Sequence, residues 1–385
     1  MARVPIKLAV LAGLTSLVLS QLAVASAAVP ARSRFSPDFG RQNVLNGVQA
    51  ISSHNVWAVG YFCKTDCADP RTQHDLILHW NGARWARVAS PSPGSGDVLT
   101  SVSAASASDI WAAGYYLGSG SAVPPLVLHW NGRKWARVPF RIGTEVTLTA
   151  VSARSARDAW IAGFQQDPVT GRTHALAAHW NGKAWRQVAI PHPGSFDFLL
   201  GIAVKSATSA WAVGTYCAAR CFRRDEVDKA TILRWNGKKW ALAKVPAADS
   251  YVLSSIDVVS ATDAWAAGLA MPSRNKIAPL VLHWNGKHWS TVTGVLAVAP
   301  LALAFGARND GWGLANIVSL RWNGGKWRKV SIPAPETTSF TGASATSVDD
   351  VWAVGVYCPP ARCTAPSPVS DTLIMHWNGR RWVRT

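Results

Sequence analysis

The stretch Leu126–Val138, LVLHWNGRKWARV, recurs with small changes seven times along this chain of 385 residues. Its [HR]WNGxxW core carries paired tryptophans at Trp80 and Trp85, Trp130 and Trp135, Trp180 and Trp185, Trp235 and Trp240, Trp284 and Trp289, Trp322 and Trp327, and Trp377 and Trp382. A second signature, DxWAxG, alternates with it and places tryptophans at Trp57, Trp111, Trp160, Trp211, Trp265, Trp312 and Trp352. The two signatures contain all 21 tryptophans. Such periodicity indicates one array of equivalent units rather than separate domains.

Each repeat contains four segments that are typical of short β-strands. In the second repeat, VLTSVSAAS, DIWAAGYY, PLVLHW and KWARV are rich in β-branched and aromatic residues and predict strands A to D. The Asn-Gly pair between strands C and D predicts a two-residue type I′ hairpin turn, with positive φ at both residues. A four-stranded unit cannot bury both faces alone, but radial stacking of units into a ring buries them. We therefore predict an all-β fold, a seven-bladed β-propeller of four-stranded antiparallel blades, with strand A at the centre and strand D at the rim.

With the elements SATDAWAAG and LHWNGxxW, the chain resembles secreted bacterial β-propeller repeat proteins. More broadly it resembles propellers of the kelch and galactose-oxidase type. The WNGKKW hairpin is also similar to the Asp-box turn of sialidase-type propellers, although the Asp-box serine and aspartate are missing. The resemblance covers residues 44–385, and it implies an architecture but no particular activity.

The first residues of the chain predict export. Arg3 and Lys7 precede an apolar run, which ends in small residues with Ala-x-Ala spacing near Ala28, so residues 1–28 read as a signal peptide. No later segment approaches the length of a membrane span. We expect a secreted, monomeric protein without a membrane span, in which residues 29–43 form a linker that braces the ring closure and residues 44–385 form the propeller.

The chain is strongly basic, which favours anionic partners. The formal net charge is +18, and removal of the signal peptide leaves +16 because it contains two basic residues and no acidic one. The candidate partners are an anionic polysaccharide, a cell-wall polymer or a protein, and nucleic acid is compatible with the charge but not favoured. The candidate anion-binding residues, on the C–D hairpins, are Arg133, Lys134, Lys238, Lys239, Arg380 and Arg381. The same charges are also expected on a sheet edge, where they discourage aggregation.

Six cysteines fall into three close pairs, and export permits disulfides. The pairs are Cys63 and Cys67, Cys217 and Cys221, and Cys358 and Cys363, in the B–C loops of blades one, four and seven. Blade four has no neighbour with a cysteine, so its pair should be local, and by analogy the other two should be as well. Because blades one and seven are adjacent in a ring, their four cysteines could instead cross-link the closure or form a four-thiolate metal site.

A recurring polar pair links strands B and C. These strands are antiparallel, so the residue that opens B should face the residue that closes C. The pairs are Asp109 with His129, Asp158 with His179, Asp263 with His283, Asp350 with His376, Asn55 with His79, Ser209 with Arg234, and Asp310 with Arg321. Because arginine is not an ordinary metal ligand, these positions predict structural contacts rather than metal sites. We expect no metal and no cofactor.

The sequence nominates no catalytic residue. Its only glutamates, Glu145, Glu226 and Glu336, do not occupy equivalent positions, so no glycosidase carboxylate pair can be assigned. No phosphate-binding Gly-Lys loop or serine nucleophile motif occurs either. The leading hypothesis is a secreted, non-catalytic binding module that presents the B–C loops at residues 61–74, 164–173, 215–229 and 356–371. The alternative is an extracellular hydrolase or lyase that acts on polysaccharide at the mouth of the central channel.

Overall fold

The computed structural model describes residues 42–385 except 65–66, 68, 93–94, 120–122, 144, 168, 218–228, 247–250, 274–275, 295–301, 360–362 and 364–369. The predicted signal peptide lies outside the described residues, and so does the linker up to residue 41. In the described part of the chain, no helix has the length and apolar character needed to cross a membrane.

Twenty-eight strands in the described residues form seven antiparallel sheets, each with its four strands in sequential order. Blades one to four are β1 (Gln42–Ser52), β2 (Asn55–Cys63), β3 (Gln73–Trp80), β4 (Trp85–Arg87); β5 (Ser95–Ser106), β6 (Asp109–Leu117), β7 (Pro125–Trp130), β8 (Trp135–Arg137); β9 (Val146–Ser155), β10 (Asp158–Gln166), β11 (Thr173–Trp180), β12 (Trp185–Val188); and β13 (Phe196–Ser206), β14 (Ser209–Cys217), β15 (Lys229–Trp235), β16 (Trp240–Leu242). Blades five to seven are β17 (Tyr251–Ser260), β18 (Asp263–Ser273), β19 (Lys276–Trp284), β20 (Trp289–Thr291); β21 (Ala302–Ala307), β22 (Asp310–Ala315), β23 (Val318–Trp322), β24 (Trp327–Val330); and β25 (Thr338–Ser347), β26 (Asp350–Tyr357), β27 (Asp371–Trp377), β28 (Trp382–Arg384). A 3-10 turn spans Pro70–Thr72. The seven-bladed propeller predicted from the sequence is confirmed.

The seven blades form a closed ring. The first strands of successive blades contact one another, from β1 with β5 around to β25 with β1. Because each blade follows the same up-and-down path, the A–B turns and C–D hairpins share one face of the ring, which we call the hairpin face. The B–C and D–A connections share the opposite face, the loop face. Among the described residues, blade one contains only β1–β4 and blade seven only β25–β28, so no described strand is exchanged between the two ends.

Side chains of the inner strands bond to the backbone of the next blade. At the closure, Thr341 Oγ1 donates to the carbonyl of Leu45 at 2.6 Å, and Ser344 Oγ accepts from the Ala50 N–H at 3.0 Å. Equivalent bonds run from Asn46 to Leu99, Thr100 to Leu148, Thr149 to Leu199, Ser101 to Val151, Ser103 to Ala153, and Ser152 to Val204. Polar inner-strand residues therefore hold these four pairs of adjacent blades together.

A cluster of three indoles fills each junction between blades. The strand-B indole of blade one, Trp57, lies 4.9 Å from Trp130 and 5.5 Å from Trp135 of blade two, measured between ring centroids. The same cluster joins Trp111 to Trp180 and Trp185, Trp160 to Trp235 and Trp240, Trp211 to Trp284 and Trp289, Trp265 to Trp322 and Trp327, Trp312 to Trp377 and Trp382, and Trp352 to Trp80 and Trp85. The last of these clusters closes the ring.

The C–D hairpin differs from the turn predicted from the sequence. Trp80 pairs with Trp85, which leaves a loop of the four residues 81–84 between the strands. Asn81 Oδ1 accepts from the backbone N–H groups of residues 83 and 84, both at 3.0 Å, and only Gly82 has a positive φ, 93°. The prediction of a two-residue type I′ turn is therefore wrong. Because the asparagine side chain satisfies two N–H groups of the loop, one left-handed residue is enough to reverse the chain.

The glycine that ends the WAxG signature allows a close approach between strands A and B. At Gly214, an added Cβ would lie 1.9 Å from the Phe198 carbonyl oxygen. The register of β13 and β14 shifts between Leu199 and Gly201, where a β-bulge bends strand A. The equivalent glycines, at 1.9 to 2.1 Å from the carbonyl, are Gly60, Gly114, Gly163, Gly268 and Gly355. No larger residue fits without moving the backbone.

We expect Gly214→Ala to lower the free energy of unfolding by roughly 1–3 kcal/mol, because the new methyl group overlaps a backbone atom that cannot rotate away. The matched control is Gly325→Ala in the blade-six hairpin, where the nearest atom to an added Cβ is Asn323 Oδ1 at 3.8 Å. The control should change stability by less than about 0.5 kcal/mol. Urea unfolding followed by tryptophan fluorescence measures both, and equal stabilities would contradict the close approach.

Candidate functional site

The polar pair between strands B and C joins residues as expected in six blades. His129 Nε2 lies 2.7 Å from Asp109 Oδ1. The corresponding distances are 3.0 Å for Asp158 and His179, 2.9 Å for Asp263 and His283, 2.7 Å for Asp350 and His376, 3.0 Å for Asn55 and His79, and 2.9 Å from Arg321 Nε to Asp310. Each of the five histidines also lies against the strand-B indole of its own blade, with centroids 4.1 to 4.5 Å apart. The arrangement fixes register and the indole position.

Two of these pairs have shifted pKa values. Burial lowers the pKa of His79, whose partner Asn55 carries no charge. Burial alone would raise the pKa of Asp350, but hydrogen bonds from His376 and Thr346 outweigh it and hold that pKa below its ordinary value.

Blade four departs from the repeat at this pair. Ser209 replaces the carboxylate, and its buried Oγ makes no hydrogen bond within the described residues. Arg234 replaces the histidine, and its guanidinium carbon lies 5.3 Å from the centroid of Trp211 and 5.1 Å from that of Trp284. The expected contact between Ser209 and Arg234 is therefore absent from the described structure, because the guanidinium lies across the two indoles and the hydroxyl is too short to reach it.

Blade six retains the carboxylate that blade four lacks and shows its effect on the arginine. Arg321 lies over Trp312 and Trp377 in the same way, 5.4 Å from each centroid, but it also forms an ion pair with Asp310. In the described residues Arg234 has no carboxylate partner, and its side chain is exposed. The two rings thus hold the guanidinium of Arg234 in place, and no carboxylate of the described residues neutralises its charge.

A third departure lies beside Arg234. Leu242 occupies a strand-D position that is Arg87 in blade one, Arg137 in blade two and Gln187 in blade three, and it is 50% exposed. Arg234 and Leu242 line one cleft of about 700 Å³ between the outer strand of blade four and the C–D hairpin of blade five. The other lining residues are Trp211, Asn236, Ala241, Ala243, Lys244, Val245, Pro246, Trp284, Lys287, His288 and Trp289. We call this the blade-four cleft.

The predicted anion-binding residues all lie at the tips of C–D hairpins, and all are exposed: Arg133, Lys134, Lys238, Lys239, Arg380 and Arg381. They belong to blades two, four and seven, which are not adjacent, so they do not form one patch. Basic residues also occupy the tips of the other blades, at Arg84, Lys183, Lys287 and Lys326. Together they give the hairpin face a ring of positive charge. The sequence did not predict Arg234 or Leu242 as site residues.

The cysteine pairs are local where the structure describes them. Disulfides join Cys63 to Cys67 and Cys358 to Cys363, so these four cysteines neither cross-link the closure nor form a four-thiolate site. Cys217 is also disulfide-bonded, while Cys221 lies outside the described residues. Much of the predicted binding loops at 215–229 and 356–371 lies outside the described residues as well.

A smaller cavity of about 370 Å³ lies in blade one. Phe62, Lys64, His74, Asp75, Arg87, Ala89, Ser90 and Ser92 line it. Burial raises the pKa of Asp75, although a hydrogen bond from Ser90 and the charge of Arg87 oppose the shift. Asp75 is the single carboxylate of this lining, so the cavity does not supply the two carboxyl groups that a glycosidase uses.

Solved structures of the same fold share little sequence with this chain. YCF48 bound to D1 peptide superposes with a TM-score of 0.52 and 15% identity, over 84% of this chain and 96% of that chain. YCF48 from Cyanidioschyzon merolae gives 0.53 and 14%, over 84% and 95%. The β-propeller domain of the Trilobed protease from Pyrococcus furiosus, which has an open velcro topology, gives 0.53 and 9%, over 91% and 98%. No protein-family model and no curated protein matches the chain. At these identities the similarity shows the fold alone, a β-propeller.

We expect Ser209→Asp to raise the free energy of unfolding by roughly 0.5–1 kcal/mol, because it places a carboxylate beside Arg234 as Asp310 lies beside Arg321. Ser209→Asn is the control, since it has the same shape but no charge and should give a smaller gain. Thermal and urea unfolding measure the difference. A Ser209→Asp protein less stable than the wild type would show that Arg234 does not accept the ion pair.

We expect Asn55→Asp to raise the pKa of His79, because a carboxylate stabilises the imidazolium. In the wild type the folded-state pKa of His79 is lowered, so its contribution to stability is present at high pH and lost as pH falls below about 6.5. When the pH is lowered from 8 to 5.5, the variant should therefore lose less stability than the wild type. NMR titration of His79 in the wild type and the variant, with His376 in the same spectrum as reference, measures the change in pKa. The same titration curve for His79 in both proteins would contradict the prediction.

Proposed function

We propose that this chain is a secreted interaction module that binds an anionic polysaccharide, and that the blade-four cleft holds an acidic group of the polymer. The observation that carries the proposal is the exposed guanidinium of Arg234, which is fixed between Trp211 and Trp284 and has no carboxylate partner in the described residues. Export is supported by the disulfides of blades one and seven, which are typical of oxidising compartments.

Arg234 has the chemistry of a carboxylate receptor. A planar guanidinium presents a fork of N–H donors that matches a carboxylate, a sulfate or a phosphate in two parallel hydrogen bonds. Stacking on the two rings fixes the plane of Arg234, so little side-chain entropy is lost when a ligand binds. A free arginine on a surface has no such advantage.

The surroundings of Arg234 suit a sugar. Leu242, which is 50% exposed, offers apolar surface against which a pyranose can lie, while Lys244, Lys287 and His288 extend the positive charge along the cleft. The basic hairpin tips of the neighbouring blades continue this charge around the ring. A long anionic polymer can therefore contact several sites at once, which increases its apparent affinity.

The cleft favours binding over cleavage. No aspartate or glutamate is among the described residues that line it, so these residues supply no carboxyl group as general acid or nucleophile. The fold is also compatible with an interaction module, since the YCF48 propeller has been captured with a peptide.

We expect the protein to bind polygalacturonate, a polymer of uronic acid, and not neutral dextran of the same length. Arg234→Gln should weaken binding by about tenfold or more, because a fixed, charged hydrogen bond is lost. Ser209→Asp should weaken binding similarly, because it neutralises Arg234 without removing it. Isothermal titration at two salt concentrations measures the affinities.

The control is Arg133→Gln, which removes the same charge from a hairpin tip of blade two. The affinity of this variant for polygalacturonate should fall less than about twofold, since only long-range electrostatic attraction is lost. Equal losses in Arg133→Gln and Arg234→Gln would contradict the cleft as the binding site. An increase in reducing ends during incubation with the polymer would instead support the polysaccharide hydrolase or lyase.

A further inference from the structure

Three ligating side chains from two adjacent blades meet on the loop face. His174 lies in β11, the third strand of blade three, and Asp197 lies in β13, the first strand of blade four. His192 lies in the connection between the two blades. His192 Nδ1 is 2.8 Å from Asp197 Oδ2, and His174 Nδ1 is 3.6 Å from Asp197 Oδ1. The ligand atoms of the three residues lie within 4.8 Å of one another.

The cluster contains buried polar groups that hydrogen bonds satisfy only in part. Asp197 is 1% exposed; its Oδ1 accepts from the Ala175 backbone N–H at 3.0 Å, and its Oδ2 is hydrogen-bonded to His192 Nδ1 at 2.8 Å. His174 Nδ1 is buried and makes no hydrogen bond within the described residues. A buried ring nitrogen without a hydrogen bond is costly unless another group satisfies it. A divalent ion between the three side chains would bind this nitrogen and balance the charge of the buried carboxylate.

We propose that His174, His192 and Asp197 bind a divalent transition-metal ion, with Zn²⁺ as the best match. Two imidazole nitrogens and one carboxylate form a borderline ligand set that suits zinc rather than calcium or magnesium. Tetrahedral zinc at about 2.0–2.1 Å from each ligand requires ligand atoms about 3.4 Å apart. The separations of 2.8 Å between His192 Nδ1 and Asp197 Oδ2 and of 3.6 Å between His174 Nδ1 and Asp197 Oδ1 lie on either side of this spacing.

The three residues leave one tetrahedral position for an external ligand. The side chains of His174 and His192 are 35% and 41% exposed, so an ion reaches the site from solvent. The fourth position therefore faces water or a bound molecule. This fourth position can bind an oxygen atom of an anionic ligand on the loop face.

Blade one provides a natural comparison. His74 and His174 occupy the same place, two residues before the leucines that pair with Gly60 and Gly163. The connection to the next blade reads PSPGSGD at residues 91–97, where blade three has PHPGSFD at residues 191–197. Ser92 thus replaces His192, and its hydroxyl hydrogen-bonds Asp97. A neutral serine hydroxyl does not belong to the usual zinc ligands, so the junction of blades one and two lacks the full set.

The test is zinc binding by full-length protein that has been treated with chelator. Isothermal titration should show one Zn²⁺ per chain for the wild type, and zinc should raise its melting temperature because it binds only the folded state. His192→Ser, which copies blade one, and His174→Asn should each weaken zinc binding at least about tenfold. Co²⁺ in place of Zn²⁺ should give the absorption of a tetrahedral site in the wild type and not in the two variants.

The matched control is His74→Asn, which changes the equivalent histidine of blade one and should leave zinc binding and the cobalt spectrum unchanged. Circular dichroism and melting without metal establish that all three variants are folded. A wild type that takes up no zinc overturns the proposal. Zinc binding that is as tight in His192→Ser and His174→Asn as in the wild type also overturns it, because surface histidines would then be the ligands. None of these outcomes depends on polysaccharide binding.

Discussion

The fold depends on the contact between one indole of each blade and two indoles of the next. Trp57 packs on Trp130 and Trp135, and six equivalent clusters follow, the last of which joins Trp352 to Trp80 and Trp85. Because no described strand passes from one terminal blade to the other, the last of these clusters and the inner-strand hydrogen bonds carry the closure in the part of the chain that the structure describes. Most indoles are therefore committed to packing. Function must come from positions where the repeat is interrupted.

A departure from the repeat frees a side chain from its structural role. His129 is held by Asp109 and Trp111, so its imidazole serves the blade. With Ser209 in blade four, the ring contacts remain but the carboxylate is absent, and Arg234 keeps both its position and its charge. In a repeat protein, the blade that breaks the pattern is thus more informative about function than the residues that all blades share.

The sequence predicts the parts of this structure that depend on local pattern. Seven blades, strand order and the tryptophan packing follow from signatures that recur every blade, and the local disulfides Cys63–Cys67 and Cys358–Cys363 follow from spacing. The predicted type of hairpin turn was wrong because a dipeptide pattern does not show how many hydrogen bonds the asparagine side chain accepts from the N–H groups of the loop. The cluster of His174 and Asp197 was missed because its members belong to different blades. The one signal in the sequence was His192, where blade one has Ser92.

Blade four lies between both proposed sites, and its inner strand explains why ligands matter there. At the three positions that bond to the next blade in blades one, two, three and seven, it carries Leu200, Gly201 and Ala203, whose side chains have no polar atom, as is also true of blade six. Its junction with blade five therefore lacks these hydrogen bonds and relies on the Trp211 cluster. A ligand that spans a weakly bonded junction binds the assembled form in preference to the open one and stabilises it by that difference in affinity.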